Sequence, residues 1–291
     1  MVAMAENSEL GSFLRSRRER VTPESVGLPP GQRRRTPGLR REELAMLAGI
    51  SVDYLVRIEQ GRETNPSTSV LASLAQALRL EESERMHLGR LGTMSTRHPG
   101  LCPTAVTGGL NETTLAVLDR MEGTPAFVLD LTTEVLAWND AYERLMTPTG
   151  LFDLSPPNLL RFTFLSETSR TVYGDWEAVA REQVGNLRQA AAACSEDPSI
   201  RDLVGELSMK SSDFARLWSE HDVGEKTRGT KSLLHPVVGE LNLRFEVLLL
   251  PESPQRRMVV YVPDDAVTVA GLDRLLTADR PPLRLVSGNG A

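Results

Sequence analysis

Apolar residues recur at helical spacing through the first third of the chain. Leu10, Phe13 and Leu14 share one face and predict a helix over Glu9–Arg20. A Pro/Gly-rich loop follows over Thr22–Gly38, long for a connection between helices. The pattern then resumes, stops at Gly49, restarts within three residues and stops again at Gly61. Leu39, Leu44, Leu47 and Ala48 predict the inner face of one short helix, and Leu55 and Ile58 that of the next. Gly49 suits the left-handed position that ends a helix, and Ser51 suits the N-cap that starts one. Val70, Leu71, Leu74 and Leu78 predict a fourth helix after Pro66, and "EESERMHLGRLG" a fifth that ends near Gly92.

Periodicity is lost in "TMSTRHPGLCPTAVTGG", which reads as an interdomain linker. Beyond it the texture is mixed. "PAFVLDLTTEVLAWN" predicts two short strands with a turn near Thr132–Thr133, and a helical stretch follows over roughly 139–220. Within that stretch Trp176, Val179, Ala180, Val184 and Leu187 lie near helical spacing. In "ELNLRFEVLLL" the period becomes two: Leu241, Leu243, Phe245, Val247 and Leu249 face one way, Asn242, Arg244 and Glu246 the other. "RRMVVYV" predicts a partner strand, and a last helix is expected over 266–278.

Two short helices around a sharp bend are the grammar of a helix-turn-helix, in which the second helix is held out to enter a major groove. Small Ala45 and Ala48 permit close helix packing. Val52, Asp53, Tyr54 and Arg57 are left on the exposed first turns of the second helix and are the candidates for reading base edges. Ser51 and Arg62 border them, and Arg40 and Arg41 are placed for phosphate contact. Arg33, Arg34 and Arg35 form either a DNA-backbone arm or a solvated loop. The plain alternative is an αα-hairpin in which Tyr54 packs on its own helix and Arg57 meets only phosphate.

Charge favours the first reading. Residues 1–100 hold 15 Arg, no Lys and 12 Asp plus Glu, a balance of +3, whereas the whole chain carries −6. Residues 15–62 alone carry +5. A basic segment on an acidic protein points to an anionic partner, nucleic acid first. The 291 residues suffice for two domains, and 40% hydrophobic with 25% charged residues is a globular composition. Two distant cysteines, Cys102 and Cys194, argue against a disulfide framework or a zinc ribbon and fit a reducing compartment. No signal-like segment opens the chain, and no apolar run approaches the ~20 residues that span a bilayer. A soluble, cytoplasmic protein without membrane partners is expected.

The chain as a whole resembles a known family. Residues 9–91 resemble the helix-turn-helix of the XRE family, the class of Cro and phage repressors. "RRRTPGLRREELAMLAGISVDYLVRIEQGRETNPSTSVLASLAQALRLEESER" is similar to the MmyB-like transcription regulators, and "LAWNDAYERL", "NLLRFTFL", "SRTVYGDWEAVA", "FARLWSEHDV", "HPVVGELNLRFEVLLL" and "MVVYV" continue the likeness. It implies an all-α, lambda-repressor-like DNA-binding domain over 1–92, a linker over 93–110, and an α+β PAS-like ligand-binding domain over 111–291 with an antiparallel sheet and a helical insert. Fatty-acid-like molecules are the ligand class it implies. It also makes Glu59 an internal partner for Arg15 or Arg18. Pro157 precedes Asn158, where the family pattern carries Arg.

Trp138, Asn139, Asn158, Phe164, Trp176, Trp218, His221 and His235 recur in the family-like stretches. With Arg161 and the strand residues Leu243 and Phe245, they are candidates to line an apolar pocket with an orienting polar end. The duller reading is core packing and capping, with Asn139 as an N-cap. Four histidines without H-x-x-x-H make a metal site unexpected. "GEKTRGTK" imitates a phosphate loop, but it precedes a strand rather than opening a helix. Nothing proposes a catalytic group or a cofactor. The expectation is a ligand-responsive operator-binding homodimer. Its rivals are a regulator whose second domain only dimerises or binds protein, and a DNA-tethered enzyme.

Overall fold

The computed structural model of the chain describes residues 9–29, 38–93, 109–194, 197–221, 228–250 and 255–277. It divides into two units: Met1–Leu101 with Ser219–Gly224, and Cys102–Trp218 with Glu225–Ala291.

The first unit is helical: α1 Glu9–Arg20, α2 Arg41–Ala48, α3 Val52–Glu59, α4 Thr68–Ala77 and α5 Glu82–Thr93. Gly49 has φ +66°, and Ile50 N–H closes the turn onto Ala45 O at 3.0 Å. This left-handed stop satisfies carbonyls that the end of α2 would otherwise orphan. Two residues on, Ser51 Oγ accepts from Tyr54 N–H at 3.1 Å and starts α3. The core is Leu14, Leu39, Leu44, Leu55, Ile58 and Leu74, all buried. Each such side chain contributes about 1.5–3 kcal/mol. α1 and α3 approach so closely that a Cβ at Gly11 would lie 2.5 Å from the Glu59 carbonyl oxygen.

The second unit is built on one antiparallel sheet of five strands: β1 Ala126–Leu129, β2 Val135–Trp138, β3 Arg228–His235, β4 Gly239–Leu249 and β5 Arg257–Pro263. Their order across the sheet is β2-β1-β5-β4-β3. α6, Glu112–Arg120, covers one face through Leu118 over Ala126, Val128, Ala137 and Met258. The other face carries Phe127, Leu243, Phe245, Val259 and Tyr261, which pack with α7 (Asp140–Met146), α8 (Leu159–Leu165), α9 (Ser169–Val172) and α13 (Ala266–Leu276). A second apolar cluster joins α8 to α10 (Trp176–Ala193), α11 (Pro198–Lys210) and α12 (Ser212–Ser219).

The period-two stripe on β4 holds for Leu241, Leu243 and Phe245, but Leu249 is 63% exposed. It lies past the last residue that β3 pairs with, Glu246, and is matched only to Arg257 at the start of β5. Cys194 is buried and disulfide-bonded, which runs against the expectation drawn from two distant cysteines. Residues 94–108, most of the expected linker, also lie outside them.

Candidate nucleic-acid interface and ligand cavity

α3 presents the face expected of a reading helix. Val52, Asp53 and Arg57 are exposed and Tyr54 is half-buried, while Leu55, Ile58 and Glu59 turn inward. Arg57 is not free on this surface: its Nη2 lies 3.1 Å from Glu63 Oε2. Ser51 is exposed and caps the helix, and Arg62 is exposed beside the C-terminal end. Arg40 is exposed, and its backbone N–H is held by Glu43 Oε2 at 2.7 Å. Arg41 differs from the expected phosphate contact. Its Nε bonds Glu59 Oε2 at 2.6 Å, although the side chain remains 42% exposed. Arg33, Arg34 and Arg35 lie outside the described residues.

Glu59 anchors α3 from below. It has no exposed side-chain surface, and its second oxygen takes Arg18 Nε at 2.7 Å. Arg18 also donates to Leu39 O, and Arg15 to Glu59 O. The network ties α1, α2 and α3 together and fixes the pitch at which α3 stands out.

In the second unit a cavity lies between α10 and the sheet. Phe127, Phe245, Val247, Val259 and Tyr261 form its floor, and Glu182, Gln183, Asn186 and Ala190 its α10 wall. Asp130, Leu131 and Thr133 of the β1–β2 turn, with Leu159, Lys231 and Arg257, close the rest. It encloses about 70 Å³, and about 680 Å³ when its open mouth is counted. Lys231 Nζ lies 3.2 Å from Glu182 Oε1 and 5.0 Å from the centre of the Phe245 ring. Burial pushes the Asp130 carboxyl up, against the lowering effect of its bond from Thr132. Burial also raises the Tyr261 phenol, and pushes that of Tyr173, close by, up to about 12. A second cleft, lined by Asp119, Glu122, Asn139, Asp140 and Arg144, has no comparable apolar floor.

Of the pocket candidates, only Phe245 lines the cavity. Phe164, Trp176 and Trp218 instead pack with Phe214 in the helical cluster. Trp138 stacks near Phe152 in the main core, where Leu243 is fully buried. Asn158 caps α8, accepting from Arg161 N–H and donating to Thr132 O. Arg161 pairs with Glu206 at 2.9 Å. Asn139 caps α7 and also holds Ala126 N–H, Met121 O and Thr124 O. His235 Nδ1 accepts from Val237 and Val238 N–H, so Nε2 donates to Leu145 O and the ring is neutral. His221 falls with the N-terminal unit, its carbonyl accepting from Arg17 Nη2 at 2.8 Å. Each of these groups is already used in building the fold.

Residues 110–275 match the MmyB-like transcription regulator ligand binding domain, more than half of the chain. The chain belongs to the MmyB-like transcription regulators. Residues 9–88 separately match a helix-turn-helix domain. No curated protein matches the chain. The regulator thus joins a DNA-binding domain for operator DNA to a ligand-binding domain for a small molecule. Among the described residues no helix is long and apolar enough to cross a membrane, and no cluster of His, Cys, Asp and Glu is arranged to hold a metal.

Proposed function

We propose that this regulator reads its operator with the exposed face of α3, as a cytoplasmic homodimer, and that a small apolar molecule of the fatty-acid class controls it. It performs no catalysis in this reading. The observation that supports it is the cavity between α10 and the sheet, with its apolar floor and polar far wall. A twofold dimer would place two copies of α3 about one helical turn of DNA apart, roughly 34 Å. Tyr54 and Arg57 would then reach base edges, while Arg40 and Arg62 would meet phosphates.

One observation favours the rival in which the second domain only dimerises or binds protein. The enclosed space of about 70 Å³ is small beside the roughly 300–1,000 Å³ of common ligand sites. A bound tail would have to run through the mouth.

The test is selection of an operator from randomised duplexes with full-length protein, followed by titration with dodecanoic acid. The expected result is one enriched palindromic site whose affinity changes when the acid is added. No enriched sequence would sink the DNA reading. An enriched site indifferent to medium- and long-chain acids and to their neutral amides would favour the rival.

A further inference from the structure

We infer that the cavity recognises the buried end of its ligand as an uncharged donor–acceptor group, a carboxamide, rather than as a carboxylate. This rests on the reading of the cavity as the site of an acyl-chain ligand, and replaces the free acid of that reading by its amide. Gln183 is 5% exposed and lines the cavity from α10. Neither its side-chain nitrogen nor its oxygen has a hydrogen-bond partner. The Tyr173 hydroxyl lies beside it without meeting hydrogen-bond geometry. Asn186, three residues along the same face, leaves its buried Oδ1 unpartnered as well.

The chemistry that satisfies these atoms follows from their types. A glutamine amide presents two donors on nitrogen and an acceptor on oxygen, and Asn186 adds an acceptor. The complement must donate and accept together. A carboxamide does both, whereas a carboxylate only accepts. This holds whichever way the Gln183 amide is turned.

Charge points the same way. Lys231 is held by Glu182 at 3.2 Å, with about a tenth of either side chain exposed. Arg257 also has a partner of its own. Asp130 adds an acid to the wall. An incoming carboxylate would meet two cations that already have partners, Lys231 and Arg257, and two acids, Glu182 and Asp130, and a buried charge without its own partner is unfavourable. The interior of about 70 Å³ is several times the roughly 10–15 Å³ that holds one water on the same measure. That is room for a small head group, with an acyl tail left to Phe127 and Val259 and the mouth.

The experiment is calorimetric titration of full-length protein at neutral pH with octanamide and with octanoate. Octanamide should bind about tenfold tighter or more, the worth of one or two net hydrogen bonds. Gln183→Leu should erase that preference and leave the melting midpoint unchanged or higher, because it removes an unpartnered buried amide. Asn186→Leu, at a partly exposed position, should reduce the preference by less. Octanoate binding as tightly as octanamide, or a preference that survives Gln183→Leu, overturns the inference while leaving the cavity as a ligand site. If neither probe binds, the inference falls together with the ligand reading on which it rests.

Discussion

Arg18 Nε lies 2.7 Å from Oε1 of Glu59, a carboxylate with no exposed side-chain surface, in the N-terminal helical domain. Arg41 holds the other oxygen at 2.6 Å. Glu59→Ala would leave Arg18, itself buried, with only Leu39 O and the more distant Glu19, and should cost about 3 kcal/mol. Arg41→Ala should cost under about 1 kcal/mol, because that side chain is 42% exposed. The chain's three tryptophans, Trp138, Trp176 and Trp218, all lie in the second unit. Urea unfolding followed by far-ultraviolet circular dichroism should therefore show Glu59→Ala losing helix early, with the tryptophan fluorescence midpoint unmoved. Coincident, unshifted transitions would show that the pair does not stabilise the domain.

Two glycines of the same domain separate steric from conformational demands. Gly49 needs a left-handed backbone but has open space around its Cβ position. Gly49→Ala should cost about 1–2 kcal/mol. Gly11 is helical, where alanine is favoured by about 1 kcal/mol, yet its Cβ would sit 2.5 Å from the Glu59 carbonyl oxygen. Gly11→Ala should therefore be the more damaging of the two. A stabilised Gly11→Ala would mean that α1 and α3 do not pack this closely.

On α3, Arg57 shares its charge with Glu63. If Arg57 reads a base, Arg57→Ala should lower operator affinity by about 1–3 kcal/mol while changing random-DNA affinity little. Arg40→Ala should weaken both alike and reduce the salt slope by about one phosphate's worth. Fluorescence anisotropy on operator and scrambled duplexes across a salt series measures both. An equal loss on the two duplexes for Arg57→Ala would leave it a phosphate contact only.

Much of this architecture was legible because local chemistry and burial agree. Gly49 and Ser51 announce the bend, and Leu55 and Ile58 set which way α3 faces. The β4 stripe is readable because period two survives wherever one face is covered. The cavity was not legible. Glu182, Gln183 and Asn186 lie on α10 between apolar positions and look like a solvated stripe, since the pattern does not say that the sheet lies opposite. The aromatic candidates failed for the converse reason. Phe164, Trp176 and Trp218 mark burial, and periodicity does not tell a pocket wall from a second core. Arg41 was read as a surface charge because its partner, Glu59, is 18 residues away.

His235 gives the ligand-binding domain a pH dependence of known sign. Burial depresses its pKa below the ordinary 6.5, against the raising effect of its bond to Leu145 O. The unfolded chain therefore binds the proton more readily. Stability is fully present above the unfolded value and falls as pH drops through 6.5 towards the lower folded value. The tryptophan fluorescence midpoint in urea should decline between about pH 7.5 and 5.5. His235→Leu should be less stable throughout but flatter over that range. Parallel curves for the two proteins would show that another group sets the slope.

Val247 offers a way to close the cavity without breaking the sheet. It is on its floor, yet only partly buried. Leu243, the more obvious target from the alternating pattern, is fully buried and does not line the cavity. Enlarging Leu243 would overpack the core at about 1–3 kcal/mol and confound folding with binding. Val247→Phe places the added ring in the cavity, where it competes directly with a ligand. The expected result is loss of octanamide binding, with operator affinity in the absence of ligand kept within about twofold, well under 1 kcal/mol. If Val247→Phe binds octanamide as the unmodified protein does, the ligand lies elsewhere and the cleft near Asn139 and Arg144 becomes the place to look.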